Sequence, residues 1–167
     1  MAITRLGGAN AITGVIPVAN GGTGATSFAP GKVLQVVQGT HATEASYTST
    51  SFVVTNTDLN ITPSASSSKI LVQVSLPFHV ASANNEFAYT IYRDSTNLGS
   101  SSQGFGTLRS NATLLSGTVT WSFLDTPSST SQIHYEAYIK RNAGSGLCAL
   151  NYNGGTTSTI TAFEMGA

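Results

Sequence analysis

Few side chains in this chain of 167 residues are of a type that does acid–base, metal or nucleophilic chemistry. The three histidines, His41, His79 and His134, are far apart, and each stands among serine and threonine residues. Their spacing does not match a zinc site, and no acidic cluster matches a calcium loop. A solvated or hydrogen-bonded histidine is the favoured interpretation of each, while a metal held by one histidine from each copy of an oligomer stays an open alternative.

Patterns typical of catalysis are also missing from the sequence. There is no Gly-x-Ser-x-Gly elbow, and the glycine-rich stretch 20–24 lacks the lysine and helix of a phosphate-binding loop. The seven acidic residues include no pair at a spacing typical of glycosidases. Cys148 lies among apolar residues, where a buried, unreactive thiol is expected. We therefore expect a protein that is not an enzyme and that uses no cofactor or metal.

A period-two alternation of apolar and polar residues dominates the chain from residue 32 onwards. The clearest case is the segment 69–80, in which one face collects Ile70, Val72, Val74, Leu76, Phe78 and Val80. Six consecutive matches to the alternating template indicate a strand rather than a helix. Pro77 lies inside this segment, so we expect an edge, a bulge or a position where its missing N–H donor faces no partner.

Other segments with the same pattern predict further strands, at 32–38, 51–55, 59–62, 87–92, 114–124, 133–140, 147–152 and 157–165. We expect a turn between the second and third of these, a hairpin turn at 142–146, and pairing of the last two strands across 153–155. About eight or nine strands with short turns and no helical segment predict an all-β fold. The simplest form is an antiparallel β-sandwich (jelly roll) over residues 32–167, preceded by an extended N-terminal arm over residues 1–31.

The final predicted strand is apolar on both faces. Ile160 and Ala162 fall on one face, and Phe163 and Met165 fall on the other. Such a strand needs two apolar environments, of which one is the sandwich interior and the other is naturally a subunit interface. We predict an oligomer interface formed by Tyr138, Ile160, Phe163 and Met165, with Tyr89, Tyr92 and Tyr152 as further candidates to line it. The alternative is that the tyrosines cover sheet faces in a monomer.

Composition limits the classes of partner. Seven Lys and Arg residues balance seven Asp and Glu residues, so the formal net charge is zero. Without a basic cluster to neutralise phosphates, we expect no nucleic-acid binding. One cysteine excludes an intrachain disulfide, and no apolar run is long enough to predict membrane insertion.

The first 31 residues differ from the rest of the chain. Glycines and a proline interrupt them every few residues, so a helix is disfavoured, and a single arginine with no continuous apolar run does not match a signal peptide. Spaced apolar side chains nevertheless occur there, at Ile3, Leu6, Ile12, Val15, Ile16 and Val18. A segment of this kind cannot form a core of its own. We predict an arm that anchors the following domain to a larger assembly.

Two short segments carry a resemblance to a known family. Residues 18–27, VANGGTGATS, resemble the "NGGTG" junction of bacteriophage tail-fibre and virion-fibre proteins. Residues 158–165, STITAFEM, are similar to the last strand of the trimeric jelly-roll modules that end phage fibres, which resemble tumour-necrosis-factor and complement-type heads. The resemblance implies a homotrimer in which a hinge joins a virion-proximal part to a distal head; the hinge residues are Asn20, Gly21, Gly22, Thr23 and Gly24.

On this basis the sequence predicts a structural component of a phage virion, made in the host cytoplasm. It would be a short fibre that contacts other tail or capsid proteins through residues 1–31 and displays a trimeric head for attachment to the host surface, where a glycan is a candidate receptor. The candidate receptor-binding residues lie in predicted loops: Asn84, Asn85, Tyr92, Arg93, Asp94, Gln103, Phe105 and Asn142. The alternatives are a capsid or tail decoration protein without receptor binding and a stand-alone carbohydrate-binding adhesin.

Overall fold

The computed structural model describes residues Lys32–Gly166, and the predictions made for residues 1–31 lie outside this part of the chain. The described residues form eleven strands and a short 3-10 turn at Tyr152–Gly154. The strands are β1 Val33–His41, β2 Ala45–Tyr47, β3 Val53–Ile61, β4 Lys69–Val80, β5 Asn85–Arg93, β6 Thr96–Asn97, β7 Gly106–Ser110, β8 Leu115–Asp125, β9 Ile133–Ala143, β10 Cys148–Leu150 and β11 Ser158–Met165.

These strands form two antiparallel sheets with a shared apolar core between them. In the front sheet, β11 lies between β1 and β4, and β8 pairs with the other edge of β4. β10 continues the line of β11, and β2 continues the line of β1. In the back sheet the order is β3, β9 and β5, and the free edge of β5 pairs with β6 and β7.

Several of the short strands are halves of broken strands. β10 and β11 both pair with the same edge of β4, opposite residues 78–80 and 69–75 respectively. β1 and β2 pair antiparallel with β11 and β10 in turn, so they too follow one another along a single line. When each broken strand is counted once, both sheets of the described region have four strand positions, and its first and last strands, β1 and β11, are neighbours. This arrangement is a jelly roll and confirms the predicted fold class.

The alternation of β4 forms the centre of the core. Ile70, Val72, Val74 and Leu76 are fully buried, as the sequence pattern predicts. They belong to one cluster with side chains from the back sheet, among them Phe87 of β5. Burial of a side chain of this size stabilises the fold by about 1.5–3 kcal/mol.

Pro77 occupies a special position in β4, which is paired along both edges. On one side its partner is Thr118 of β8, and on the other side it faces the junction between β10 and β11. The N–H of Asn151, in that junction, donates to the carbonyl oxygen of Pro77 at 3.3 Å, so the proline nitrogen points to the junction as well. The expectation that the missing donor faces no ladder partner is therefore confirmed.

The turn predicted between the second and third strands is wrong. β3 runs through this region without interruption, with a bulge between Val54 and Asp58. Asn56 takes a left-handed conformation with φ 57°. This bend accommodates the residues of β3 that have no partner on β9. The buried hydroxyl of Thr55 donates to the carbonyl oxygen of Ala137 at 2.8 Å and holds the bulge against β9.

The predicted pairing at the end of the chain is also wrong. Residues 142–146 do not form a hairpin, because β9 belongs to the back sheet and β10 to the front sheet. β10 and β11 do not pair with each other, since they are successive halves of one broken strand. The sequence prediction also lacks β7, a five-residue strand that follows a loop rich in glycine and serine.

A buried polar bridge joins the two sheets at one end of the sandwich. Arg93 Nη1 donates to both carboxylate oxygens of Asp125 at 2.9 Å, and the Tyr135 hydroxyl donates to Asp125 Oδ2 at 2.6 Å. Asp125 ends β8 in the front sheet, whereas its two partners belong to β5 and β9 in the back sheet. Burial, together with the hydrogen bond to Asp125, raises the pKa of Tyr135 well above its usual value. The phenol therefore remains a neutral donor.

A second buried carboxylate, Glu164 of β11, ties the loop after β3 to the front sheet. It accepts hydrogen bonds from the Ser64 N–H at 2.7 Å, from the Ser64 hydroxyl at 2.5 Å and from Gln35 Nε2 at 2.6 Å. Burial opposes ionisation of Glu164, but the hydrogen bonds from Ser64 and Gln35 outweigh it and lower its pKa from 4.5 to about 2. The ionised form therefore belongs to the folded state.

We expect Tyr135→Phe to lower the free energy of unfolding by about 1.5–3 kcal/mol, because it removes a hydrogen bond to a buried charged group. Urea denaturation at neutral pH measures the change. Tyr152→Phe is the matched control, since the Tyr152 side chain is exposed, and it should change the free energy by less than about 0.5 kcal/mol. Equal losses in the two variants would contradict the bridging role of Tyr135.

Glu164 should also make stability depend on pH in the acid range. Its folded-state pKa of about 2 lies below the ordinary value of 4.5, so the carboxylate stabilises the fold above pH 4.5, and this contribution is lost as the pH falls towards 2. Glu164→Gln should be less stable than the wild type at pH 7, by about 1–3 kcal/mol. Denaturation at several pH values should show that difference shrinking below pH 4.5. A difference that is the same at pH 7 and near pH 2 would contradict this account.

Candidate functional site

The outer face of the front sheet carries a row of four apolar side chains. Val36, Phe163, Leu71 and Leu124 are direct partners across β1, β11, β4 and β8, so they form one line perpendicular to the strands. We name these four residues the apolar row. Val36 is 55% exposed and Leu124 is 46% exposed, and the two middle side chains are partly buried between them. An apolar line of this kind on a sheet surface is typical of an interaction site.

Further apolar side chains extend this surface towards the same end of the sheet. Met165 of β11 is opposite Val33 of β1, and both are exposed. The exposed Leu34 follows at the bulge in β1. The contiguous patch therefore covers the end of the front sheet at which the described part of the chain begins.

The next two rows on the same face are polar but uncharged. One consists of Gln38, Thr161, Gln73 and Ser122, and the other of Thr40, Thr159, Ser75 and Thr120. Within them Gln38 Nε2 donates to Thr161 Oγ1 at 3.1 Å, and Thr120 Oγ1 donates to Ser75 Oγ at 3.2 Å. On this side of the apolar row the face thus presents hydroxyl and amide groups without a fixed charge, whereas Lys69, the partner of Met165 on β4, lies on the other side.

The residues predicted for the subunit interface do not share one surface. Phe163 and Met165 lie on the outer face of the front sheet, as the alternation requires. Ile160 is fully buried inside the sandwich, so its assignment to an interface is corrected. Tyr138 lies on the outer face of the back sheet, where it stacks on Tyr92. A flat interface that contains Phe163 therefore excludes Tyr138 of the same subunit.

The predicted receptor-binding residues are also divided. Asn84, Asn85 and Asn142 lie near the start of β5, and Arg93 and Asp94 lie at its other end. Asn85 and Arg93 are the two ends of this nine-residue strand, eight residues apart, which is about 26 Å. They cannot form a single binding site in one subunit.

Three of the predicted receptor-binding side chains have structural roles. Asn85 is buried; its Nδ2 donates to the Ser82 hydroxyl at 2.7 Å, and its Oδ1 accepts from the Gly146 N–H at 2.6 Å. Arg93 belongs to the bridge described above. Phe105 packs against Phe123, with ring centroids 5.1 Å apart.

The other predicted receptor-binding side chains remain at the surface. Gln103 is exposed in the loop before β7. Asp94 is exposed and accepts a hydrogen bond from the His134 N–H at 3.1 Å. Asn84 is exposed, and Asn142 donates to Glu86 Oε1 at 3.2 Å. Asp94 lines a cleft of about 190 Å³ together with Arg93, so these two predicted residues do share one surface.

The outer face of the back sheet carries an aromatic cluster formed by Phe52, Tyr92 and Tyr138. The two tyrosine rings stack with centroids 3.9 Å apart, and the Phe52 ring meets Tyr92 edge-on at 6.5 Å. Lys140 Nζ lies 4.8 Å from the Phe52 ring centroid. Because the rings cover one another, the cluster joins β5 and β9 to the segment before β3. The sequence reasoning missed Phe52 and Lys140, which are far apart along the chain.

Two acidic groups lie beside the aromatic cluster. Glu136 is buried between Asp58 on β3 and Tyr92 on β5, and burial is the main reason that its pKa is raised. Asp58 Oδ2 lies 2.9 Å from His134 Nε2. These residues form local pairs, and the described residues contain no group of three His, Cys, Asp or Glu that could hold a metal.

The single cysteine has no reactive character. Cys148 is buried, and burial raises the pKa of its thiol to about 12. The thiolate is therefore not populated near neutral pH. Trp121 packs against Tyr89, with ring centroids 4.5 Å apart, and its partly buried side chain contacts the core.

Comparison with known proteins gives no family. No family model matches the chain, and no curated protein matches it. Among the helices of the described residues, none is long and apolar enough to cross a bilayer.

The solved structures similar to this chain include the VP2 protein of infectious bursal disease virus. A mutant VP2 in derived T=1 particles matches with a TM-score of 0.45 and 17% identity, over 78% of this chain and 36% of VP2. VP2 in a subviral particle matches with a TM-score of 0.44 and 18% identity, over 80% of this chain and 38% of VP2. The chain therefore spans less than two fifths of those VP2 chains, and matches at this level do not assign it to a family.

Proposed function

We propose that this protein is a structural component of a phage virion: a short fibre anchored through residues 1–31, whose jelly-roll domain forms a homotrimeric head for attachment to the host surface. It is not an enzyme and needs no cofactor in this role. The alternatives are a decoration protein of the capsid or tail and a stand-alone adhesin.

The apolar row is the observation that carries the proposal. Four apolar side chains cross all strand positions of the front sheet, and at its two ends Val36 and Leu124 are largely exposed. A second copy of the chain is the occupant that we favour, because the apolar row continues into the exposed Val33 and Met165 on one side and borders rows of Gln, Ser and Thr on the other. The apolar row and the Gln, Ser and Thr rows of two copies meet without repulsion between like charges, since the charged Lys69 lies at the end of this face as the partner of Met165 on β4. The formal net charge of the chain is zero.

The virion assignment is supported by the junction at residues 18–27 and by the fold. The jelly-roll domain has the topology expected of the heads to which the sequence shows a resemblance. The six spaced apolar side chains named for the arm, Ile3, Leu6, Ile12, Val15, Ile16 and Val18, supply an anchor that a stand-alone adhesin does not need.

The first prediction from this proposal concerns the oligomer. The wild-type protein should sediment at about three times its chain mass of 17.2 kDa. The double variant Val36→Asp, Leu124→Asp should sediment as a monomer, because it places charges at both ends of the apolar row. Both residues lie on exposed positions of edge strands, so the fold should be kept.

Val54→Asp is the matched control for charge, since Val54 is 43% exposed on the outer face of the back sheet. This variant should remain a trimer. A monomeric wild type, or equal dissociation of the control and the double variant, would exclude the apolar row as the trimer contact.

The second prediction concerns the anchor. Virions assembled with the variant Leu6→Asp, Ile16→Asp should lack the protein, because two apolar contacts are replaced by charges, while the purified variant should remain a trimer. Thr4→Asp, Thr13→Asp adds the same charges to the same segment without removing an apolar side chain and should be incorporated. Quantitative immunoblotting of purified virions measures incorporation. Full incorporation of the first variant would count against anchoring by residues 1–31 and in favour of the adhesin.

A further inference from the structure

A cleft of about 370 Å³ lies on the outer face of the front sheet, at the end opposite the apolar row. It is lined by Pro77, Phe78, His79, Ser116, Gly117, Thr118, Tyr152 and Thr156. Its volume is within the range of small-molecule sites. His79 is eight residues from Leu71 along β4, or about 26 Å. Contact between copies through the apolar row therefore leaves the cleft free.

The loop that carries Tyr152 is held firmly in place. It connects β10 to β11, and it starts at Asn151, a buried residue with φ 55°. Asn151 Nδ2 donates to the carbonyl oxygens of His41 at 3.0 Å and Thr43 at 3.2 Å, and Asn151 Oδ1 accepts from the Ser158 hydroxyl at 2.9 Å. The side chain of Asn151 thus has three partners, and the loop position is fixed before any ligand binds.

Tyr152 forms an aromatic wall of the cleft. Its ring stacks on the His79 imidazole with centroids 3.9 Å apart and planes 5° apart. His79 is itself held by a hydrogen bond between its Nδ1 and Ser116 Oγ at 2.8 Å. Because one face of the Tyr152 ring covers His79 and the side chain is still 42% exposed, the rest of the ring is available for contact.

The chemistry of the lining selects the ligand class. Ser116, Thr118 and Thr156 supply hydroxyl groups that both donate and accept hydrogen bonds. No lining residue is Asp, Glu, Lys or Arg, so a charged ligand would find no permanently charged partner. A ligand that fits has a C–H face for the tyrosine ring and several hydroxyls for the cleft. A neutral saccharide has both.

We propose that this cleft binds a neutral saccharide unit, with Tyr152 as the stacking platform and the hydroxyls of Ser116, Thr118 and Thr156 as hydrogen-bonding partners. The inference rests on the proposed attachment role, to which it adds a site and a ligand class. Three clefts on one trimer would strengthen a weak single contact through multivalency.

Saturation-transfer NMR of the full-length protein tests the site with three probes: methyl β-galactoside, methyl α-glucoside and N-acetylglucosamine. We expect transfer to the C–H protons of at least one of them. Tyr152→Ala should weaken its binding about tenfold or more, as loss of an aromatic contact of about 1.5 kcal/mol would. Tyr152→Phe should retain binding, because it keeps the ring.

Tyr92→Ala is the matched control, since it removes a tyrosine from the opposite face of the sandwich and should bind like the wild type. Thr118→Val, which removes one lining hydroxyl at almost constant shape, should bind several-fold more weakly. The inference is overturned if none of the three neutral probes shows transfer, if Tyr152→Ala binds like the wild type, or if sialyllactose binds through its carboxylate in preference to all of them.

Sedimentation of the same samples separates this inference from the oligomer proposal. A trimer in which the cleft takes up no neutral saccharide contradicts the cleft alone. A monomer that binds saccharide through Tyr152 contradicts the trimer alone.

Discussion

Pairing of β4 along both of its edges is the constraint on which the other features depend. β8 pairs with the full length of one edge, and β11 and β10 share the other. A strand held in this way cannot shift its register without turning its buried side chains outwards. The inward residues of β4 therefore define the core, and its outward residues define one surface that runs from Leu71 in the apolar row to His79 in the cleft.

Charged groups are rare in this molecule, and several of them act inside it. Asp125 joins the two sheets through Arg93 and Tyr135, and Glu164 holds a loop through Ser64 and Gln35. Each carboxylate accepts several hydrogen bonds, which offsets the cost of its burial. On the outer face of the front sheet, neutral amides and hydroxyls lie on one side of the apolar row, and Val33, Met165 and Lys69 lie on the other. Contacts through the neutral rows depend little on ionic strength.

The sequence predicts which face a residue occupies much better than which strand lies beside it. The alternation of 69–80 predicts the inward side chains of β4 because side-chain direction has a period of two. It holds no information on neighbours, so the apparent hairpin at 142–146 is in fact a crossing between the sheets. The Asn-Thr-Asp segment in β3 resembles a turn locally, but a buried hydrogen bond from Thr55 keeps it in the sheet.

In the candidate sites, too, the sequence predicts the face on which a residue lies but not the residues beside it. Phe163 could be placed on an outer surface from alternation alone, whereas its alignment with Val36, Leu71 and Leu124 depends on register, which the sequence does not supply. Asn85 and Arg93 look like loop residues available for binding, yet hydrogen bonds to distant segments bury or fix them. Tyr152 and His79 form one wall of the cleft although 72 positions separate them in the chain.

Opposite Pro77 the partner of β4 is interrupted between β10 and β11, and this gap determines where the sequence of the domain can change without loss of the fold. A proline at that point has no N–H to offer, so the segment between β10 and β11 leaves the sheet without depriving β4 of a partner. Residues can therefore be added, removed or exchanged beyond the Asn151 anchor while the ladder on either side stays intact. The fold has a built-in insertion point beside its cleft, at which ligand preference could change while the architecture is conserved.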